Sequence, residues 1–227
     1  MNYLLNIDTT TEKAIVCLSD GANIISSATN TNSKEHASFL HVAIHQILKE
    51  NSVSVSELKA IGVVGGPGSY TGIRVGLATA KGLCYALNIP LMMYNTLELM
   101  AFSALEKGKN VDALYCPMID ARRLEVFTAV YDAKFVPVFS PAALELTENS
   151  FASLIEKNTI YFFGNGAQKF RNLIKNPGKN AHFTDNHISP ESLTLFGWNK
   201  FENKDFVNLI SSKPLYLKEF YTTAKLG

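Results

Sequence analysis

Asp8 ends the apolar run Tyr3–Ile7 and is followed by Thr9, Thr10 and Thr11. A carboxylate at a strand end beside hydroxyls can reach a magnesium-bound phosphate through water, and it can equally cap a turn. The second chemical candidate is glycine-rich. Residues 62–83 read GVVGGPGSYTGIRVGLATAKGL and hold seven glycines. Free N–H groups at a helix start attract anions, so a loop between a strand and a helix is a suitable phosphate site. The residues do not match the strong nucleotide motifs. Gly72 is followed by Ile73 and Arg74 where a Walker loop needs Lys and then Ser or Thr. A dinucleotide fingerprint starting at Gly66 and Gly68 needs glycine where Thr71 stands. The residues favour a plainer reading, in which Gly66-Pro67-Gly68 turns sharply and Ser69 or Thr71 caps the following helix.

His36, His41 and His45 could suggest a metal, since His41 and His45 lie four apart. There is no HExxH arrangement, and the pair flanks the apolar arc Leu40–Ile44–Leu48. They read as boundary histidines, and no metal site is expected. His182 and His187 lie in a polar loop and receive no role. Asp120, Arg122, Arg123 and Glu125 are the densest charged group in an otherwise apolar region. They form either a structural ion network or the lining of a cleft. No Ser-His-Asp order and no G-x-S-x-G elbow is present, so no catalytic residue is assigned.

The elements that must position these groups follow from periodicity. Runs at Tyr3–Ile7, Ala14–Leu18 and Ala22–Thr29 predict three antiparallel strands, with a tight turn at Asp20-Gly21. Leu40, Ala43, Ile44, Ile47 and Leu48 predict a helix, with Ser33 as its cap and Glu35 in its early residues. LKAIGVVGG is apolar on both faces, as a helix-covered parallel strand must be. A helix over Gly72–Leu87, a strand at IPLMMYN and a helix from TLELMAFSALEKG, capped by Thr96, complete an α/β pattern. After the polar break 107–110, two strands are expected to meet near Asp120-Ala121-Arg122. AALELTENSFASLIEK is expected to be helical. A strand, a Gly164-Asn165-Gly166 turn and a helix follow, then a helix at SPESLTLFGWNKFE. The tail SSKPLYLKEFYTTAKLG is read as an extended arm. Gly72, Gly76, Ala80 and Cys84 are spaced by four and form a narrow small-residue stripe. Such a stripe lets another helix come close, and it is expected to face outward.

The 227 residues suffice for one large or two small domains. Hydrophobic residues are 47%, charged residues 18% and the net charge +1, so no general attraction to nucleic acid or membrane is expected. Three scattered cysteines without a CxxC pair point to a reducing compartment. No signal peptide or bilayer-length apolar run is seen, so the expected location is cytoplasmic.

Together, NIDTTTEKAIVCLSDG, KEHASFLH, AIGVVGGPGSYTGIRVGLATAKGLCYALNIPL, DARRLEVF and GNGA resemble the TsaB family. TsaB is the bacterial partner protein in tRNA threonylcarbamoyladenosine synthesis. The resemblance implies a reduced actin-like (ASKHA) α/β fold of two similar mixed-sheet domains, 1–108 and 109–227, the last segment packing back on the first. It implies a non-catalytic subunit that binds TsaD, with TsaE joining, while TsaD transfers threonylcarbamoyl to N6 of adenosine 37 in tRNAs reading codons that begin with A. The catalytic relative carries two metal-ligand histidines where Thr96 and Met100 stand here. The implied partner interface comprises His36, Phe39, Leu40, Ala43, Gly72, Gly76, Ala80 and Leu83, and isolated chains are expected to form a homodimer. tRNA is contacted mainly through the complex. ATP and metal belong to the partner proteins. Weak nucleotide binding stays open at Asp8, Thr9, Thr10, Gly66, Gly68, Ser69 and Thr71, as does a purely structural loop. Tyr70, where Phe is common in the family, alters little. The runner-up is an active ASKHA-type small-molecule kinase or free-standing ATPase, and peptidase activity is disfavoured for want of a metal pair or triad.

Overall fold

The structure is a computed structural model and describes residues 1–32 and 35–218. The first sheet contains β1 (Tyr3–Asp8), β2 (Ala14–Asp20), β3 (Asn23–Asn30), β4 (Leu58–Val64) and β5 (Leu91–Tyr94). Its order is β3-β2-β1-β4-β5, antiparallel from β3 to β1 and parallel from β1 to β5. The second sheet contains β6 (Leu114–Asp120), β7 (Glu125–Tyr131), β8 (Pro137–Glu145), β9 (Ile160–Phe163) and β10 (Ala181–Phe183). Its order is β10-β9-β6-β7-β8, with β6, β7 and β8 antiparallel and β6, β9 and β10 parallel. Each half is thus a three-stranded meander extended by two parallel strands, so the two sheets repeat one topology.

Among the described residues six α-helices cover these sheets: α1 (His36–Glu50), α2 (Tyr70–Leu87), α3 (Thr96–Gly108), α4 (Ala152–Lys157), α5 (Ala167–Leu173) and α6 (Pro190–Glu202). Strand alternation sorts the core. On β4, Ile61 and Val63 point to α1 and α2, while Ala60 and Val64 point to the opposite layer. That opposite layer is built from α3 and α6. It joins Leu4, Met92 and Tyr94 of the first sheet to Tyr115, Ile119 and Phe163 of the second. α6 packs on the first sheet although it comes from the second half, and α3 packs on β6 and β7 although it comes from the first. A third cluster lies under α4 and α5.

Four local expectations are corrected. The helix expected across AALELTENSFASLIEK is broken: its first four residues end β8, which pairs with β7, a turn follows, and only Ala152–Lys157 is helical. Alanine, leucine and glutamate favour a helix locally, but cross-strand pairing overrides propensity. Asn95, not Thr96, caps α3, because its Oδ1 accepts from the backbone N–H groups of Leu97 and Glu98. Glu35 is the residue before α1 rather than within it, and it makes no side-chain cap. Ser33 lies outside the described residues. α2 begins at Tyr70, with Ser69 as its cap. Of the tail, residues 211–218 are described, and the remainder of that expected arm lies outside. Leu215 N–H donates to Gly65 O at 2.8 Å. Lys81 Nζ holds Ile210 O and Ser212 O at 3.3 and 3.1 Å. The described part is therefore tied to the first half. Among the described residues no helix is long and apolar enough to cross a membrane.

Candidate functional site

The glycine loop closes on the turn after β1. Gly68 has a φ of +154°, and a Cβ there would lie 2.2 Å from Thr10 O. Only glycine fits this approach. It lets Ser69 N–H donate to Thr10 O at 2.7 Å, and Ser69 Oγ then accepts from Gly72 N–H at 3.2 Å. Gly65 O accepts from Leu215, and Gly66 O accepts from Thr96 at 2.9 Å. These backbone groups are engaged within the protein. Thr71 is exposed on the cleft wall and is not the cap.

Asp8 is wholly buried. Its Oδ1 accepts from Thr10 N–H at 2.8 Å and Thr10 Oγ1 at 2.7 Å, while Oδ2 has no partner among the described residues. Desolvation by burial pushes the carboxyl pKa up, against the lowering effect of the Thr10 bonds. These bonds are those of a capped turn, and Asp8 is not among the residues that line the cleft, where Thr10, Gly68, Ser69 and Thr71 stand. Thr9 instead points to α2, donating to Gly72 O at 2.7 Å.

The small-residue stripe faces inward, opposite to expectation. A Cβ on Gly72 would sit 1.9 Å from Thr9 O, and one on Gly76 would sit 2.5 Å from Thr9 Oγ1. Ala80 and Cys84 are fully buried. The backbone that the stripe admits is the chain's own β1 turn. His36, Leu40 and Ala43 are likewise buried, with His36 Nε2 3.2 Å from Thr11 O. These six expected interface residues, Gly72, Gly76 and Ala80 included, are covered by the chain itself. Phe39 and Leu83 remain half-buried at the surface. The outward faces carry His41, Val42 and His45 on α1 and Ala78, Gly82 and Tyr85 on α2, with Val42 64% and Tyr85 82% exposed. Sequence periodicity contained this face too, but the small residues drew attention to the opposite side.

Between the halves lies a cleft of about 600 Å³. Its first wall is the Thr10–Glu12 turn and the start of α2, and its second is the β6–β7 hairpin. Asn165 spans the floor, accepting from Asp120 N–H at 2.9 Å and donating to Glu12 Oε1 at 3.2 Å. The two acids of the charged group are paired from outside the group, and Asp120 and Arg122 also line the cleft. Asp120 pairs with Lys169 at 2.6 Å, and Glu125 pairs with Lys218. Burial acts to raise the Asp120 pKa, but the Lys169 bond and charge and the Arg122 N–H outweigh it and hold the carboxyl below its ordinary range. Arg122 lines the cleft. Lys169, Asn165 and Lys218 lie far along the chain, and no sequence spacing links them to Asp120. A second missed group is Arg74, whose guanidinium lies 3.7 Å from the Tyr70 ring centroid while donating to Tyr216 Oη at 2.9 Å.

Thr96 and Met100 stand in the core, Thr96 fully buried and Met100 6% exposed. Gly164 leaves room for the thioether, since a Cβ there would lie 2.6 Å from Met100 Cε. Cys17, Cys84 and Cys116 are buried, and burial pushes each thiol up to about 12, far from the range of a reactive thiolate.

Two meander-plus-parallel sheets, helices packed between them and a cleft at their junction define the actin-like ASKHA class of α/β protein. A Pseudomonas aeruginosa protein described as similar to peptidase YEAZ superposes with a TM-score of 0.79 at 23% identity, covering 96% of this chain and 100% of that one. YeaZ from the same organism gives 0.76 at 23% identity, with the same coverage of both chains. At these identities the likeness shows the fold alone. Residues 23–189 match the sequence profile of TsaD, tRNA N6-adenosine threonylcarbamoyltransferase, and the chain belongs to that family, on its TsaB side. It is 34% identical over 131 residues to the tRNA threonylcarbamoyladenosine biosynthesis protein TsaB of Bacillus subtilis, a match covering 58% of this chain and 56% of that one. To the TsaB of Buchnera aphidicola subsp. Baizongia pistaciae it is 29% identical over 190 residues, covering 81% and 78%. The Bacillus match thus spans little more than half of its relative's length.

Proposed function

We propose that this chain is a non-catalytic subunit of the cytoplasmic machinery that makes threonylcarbamoyladenosine in tRNA. It docks on TsaD, is joined by TsaE, and supports transfer of threonylcarbamoyl to N6 of adenosine 37. The names of the TsaB relatives support the pathway. The observation that carries the non-catalytic role is the packing of Thr96 and Met100. The resemblance places the catalytic relative's histidine ligands at these positions, and here an alcohol and a thioether are built into the core. Neither is a convincing ligand for iron or zinc. The chain itself then needs no cofactor, and ATP and metal serve TsaD and TsaE.

The burial of Asp8 weighs against the kinase or ATPase alternative, which needs a carboxylate facing the phosphates. Any nucleotide binding in the cleft is weak. Docking uses the outward faces of α1 and α2, where Val42 and Tyr85 leave apolar surface exposed. The same faces pair two copies when TsaD is absent. The test is reconstitution with tRNA, threonine, bicarbonate, ATP and the adenylate-forming enzyme. No modified nucleoside is expected until TsaD is added, and sustained turnover is expected only with TsaE. Product formed without TsaD refutes the reading.

A further inference from the structure

Arg122 and Arg123 occupy the tip of the β6–β7 hairpin, and both are exposed. Their backbones are held in the left-handed region, at φ +71° and +48°. Arg122 N–H donates to Asp120 Oδ1 at 2.6 Å, and Glu125 N–H donates to Arg122 O at 3.0 Å. The tip is therefore a fixed platform. Of the carboxylates nearby, Asp120 is paired by Lys169 and Glu125 by Lys218, while Glu12 on the opposite wall accepts from the Asn165 amide. Among the described residues no carboxylate pairs with Arg122 or Arg123. The local surplus of positive charge is thus carried by two guanidiniums, in a chain whose net charge is only +1.

Arg122 also joins two hollows. One is the cleft that Tyr70, Tyr216 and Lys218 line, and the other is a neighbouring depression lined by Arg123, Glu125 and Lys218. On the first hollow's rim the Tyr70 and Tyr216 rings lie 5.5 Å apart, with the Arg74 guanidinium against Tyr70. Tyr216 is 39% exposed. Arg122 and Lys218 thus share the cleft's lining with Tyr70 and Tyr216. A small anion would require donors converging on one buried point. Exposed guanidiniums at adjacent positions suit a ligand with repeated phosphates.

We propose that this rim contacts the phosphodiester backbone of an RNA, with Arg122 and Arg123 as its phosphate-pairing residues. The proposal rests on the reading of the chain as a subunit of a tRNA-modifying assembly, and it names the surface that reading leaves open. Planar guanidiniums bind phosphate oxygens in pairs, and each such contact releases counterions, so binding must weaken with salt.

The test uses the full chain, alone and with TsaD, and a fluorescent unmodified tRNA transcript as the probe. Affinity is measured over a salt series for wild type, Arg122→Glu/Arg123→Glu and Arg122→Lys/Arg123→Lys. Melting checks the fold of each variant, and complex mass checks its binding to TsaD. The charge-reversed variant should melt normally, form the TsaD complex at normal mass and bind the transcript about 10- to 100-fold more weakly. Its salt slope should be shallower by about 1.4–1.8, the loss expected for two phosphate contacts. The lysine variant should recover most of the slope. An unchanged affinity and slope in a normal complex overturns the proposal while leaving the subunit reading intact. Loss of TsaD binding with RNA affinity of the chain alone unchanged also overturns it, and makes the tip a protein contact. If wild type fails to bind TsaD, the subunit reading fails, and the RNA titrations of the chain alone still decide the rim.

Discussion

Replacing Gly72 by Ala should destabilise the fold, although alanine is the better helix former. The added methyl would lie 1.9 Å from Thr9 O, and an ordinary carbon–oxygen contact is about 3.3–3.6 Å. The obstacle is main chain, so no rotamer change can relieve it. α2 must move off the β1 turn by more than about 1 Å. Overpacking of this kind costs about 1–3 kcal/mol. The shift also breaks the 2.7 Å bond from Thr9 Oγ1 to Gly72 O, worth about 1 kcal/mol. Helix propensity returns up to about 1 kcal/mol, leaving a net loss of about 1–3 kcal/mol. For a chain of this size that lowers Tm by about 3–10 °C. Gly82 is the control. It lies on the same helix, is exposed and has nothing within 4 Å of its would-be Cβ. Gly82→Ala should raise stability by about 0.5–1 kcal/mol. Both variants are read by calorimetric melting. A Gly72→Ala protein that melts at or above wild type would refute the inward placement of the stripe.

Asp8→Asn should change how stability depends on pH. Burial raises the folded-state pKa of Asp8 above its unfolded value. The folded state therefore holds its proton longer, and wild-type stability is lost as pH rises from the unfolded pKa of about 4 through the folded one. The amide does not ionise, so the variant should gain in Tm relative to wild type as pH rises above about 4. A flat or opposite difference in melting scans over that range would show that Asp8 is not held in this way. On the outer helix surface, Val42→Asp and Tyr85→Asp should leave monomer stability within about 0.5 kcal/mol in chemical denaturation, because both side chains are largely exposed. A larger loss would place them in a packed core.

Much of the architecture can be read from local pattern. The doubly apolar LKAIGVV segment requires cover on both faces, and β4 has α1 and α2 on one side and α3 and α6 on the other. Ser69 before a helix with a glycine loop is a local cap signal, and it caps α2. The orientation of the Gly72–Cys84 stripe is a different kind of fact. Spacing by four states that these residues share a face, but not which backbone comes close to it. Here that is Thr9, 63 residues earlier. The charged group shows the same limit. Asp120 and Glu125 are conspicuous in sequence, while their partners Lys169 and Lys218 lie 49 and 93 residues away. Only the folded sheet brings them together. β8 was hidden because AALE has helical residue preferences, and its strand state depends on the neighbouring β7.

The proposed role of this chain is to dock TsaD on the outer faces of α1 and α2. The direct measurement is the solution mass of purified chain mixed with its own organism's TsaD, by light scattering, for wild type and for Val42→Asp/Tyr85→Asp. The account predicts a mixed complex for wild type and separate components for the variant, with the variant's own fold intact. A variant that binds TsaD as tightly as wild type, or a wild-type chain that never binds it, would contradict the account.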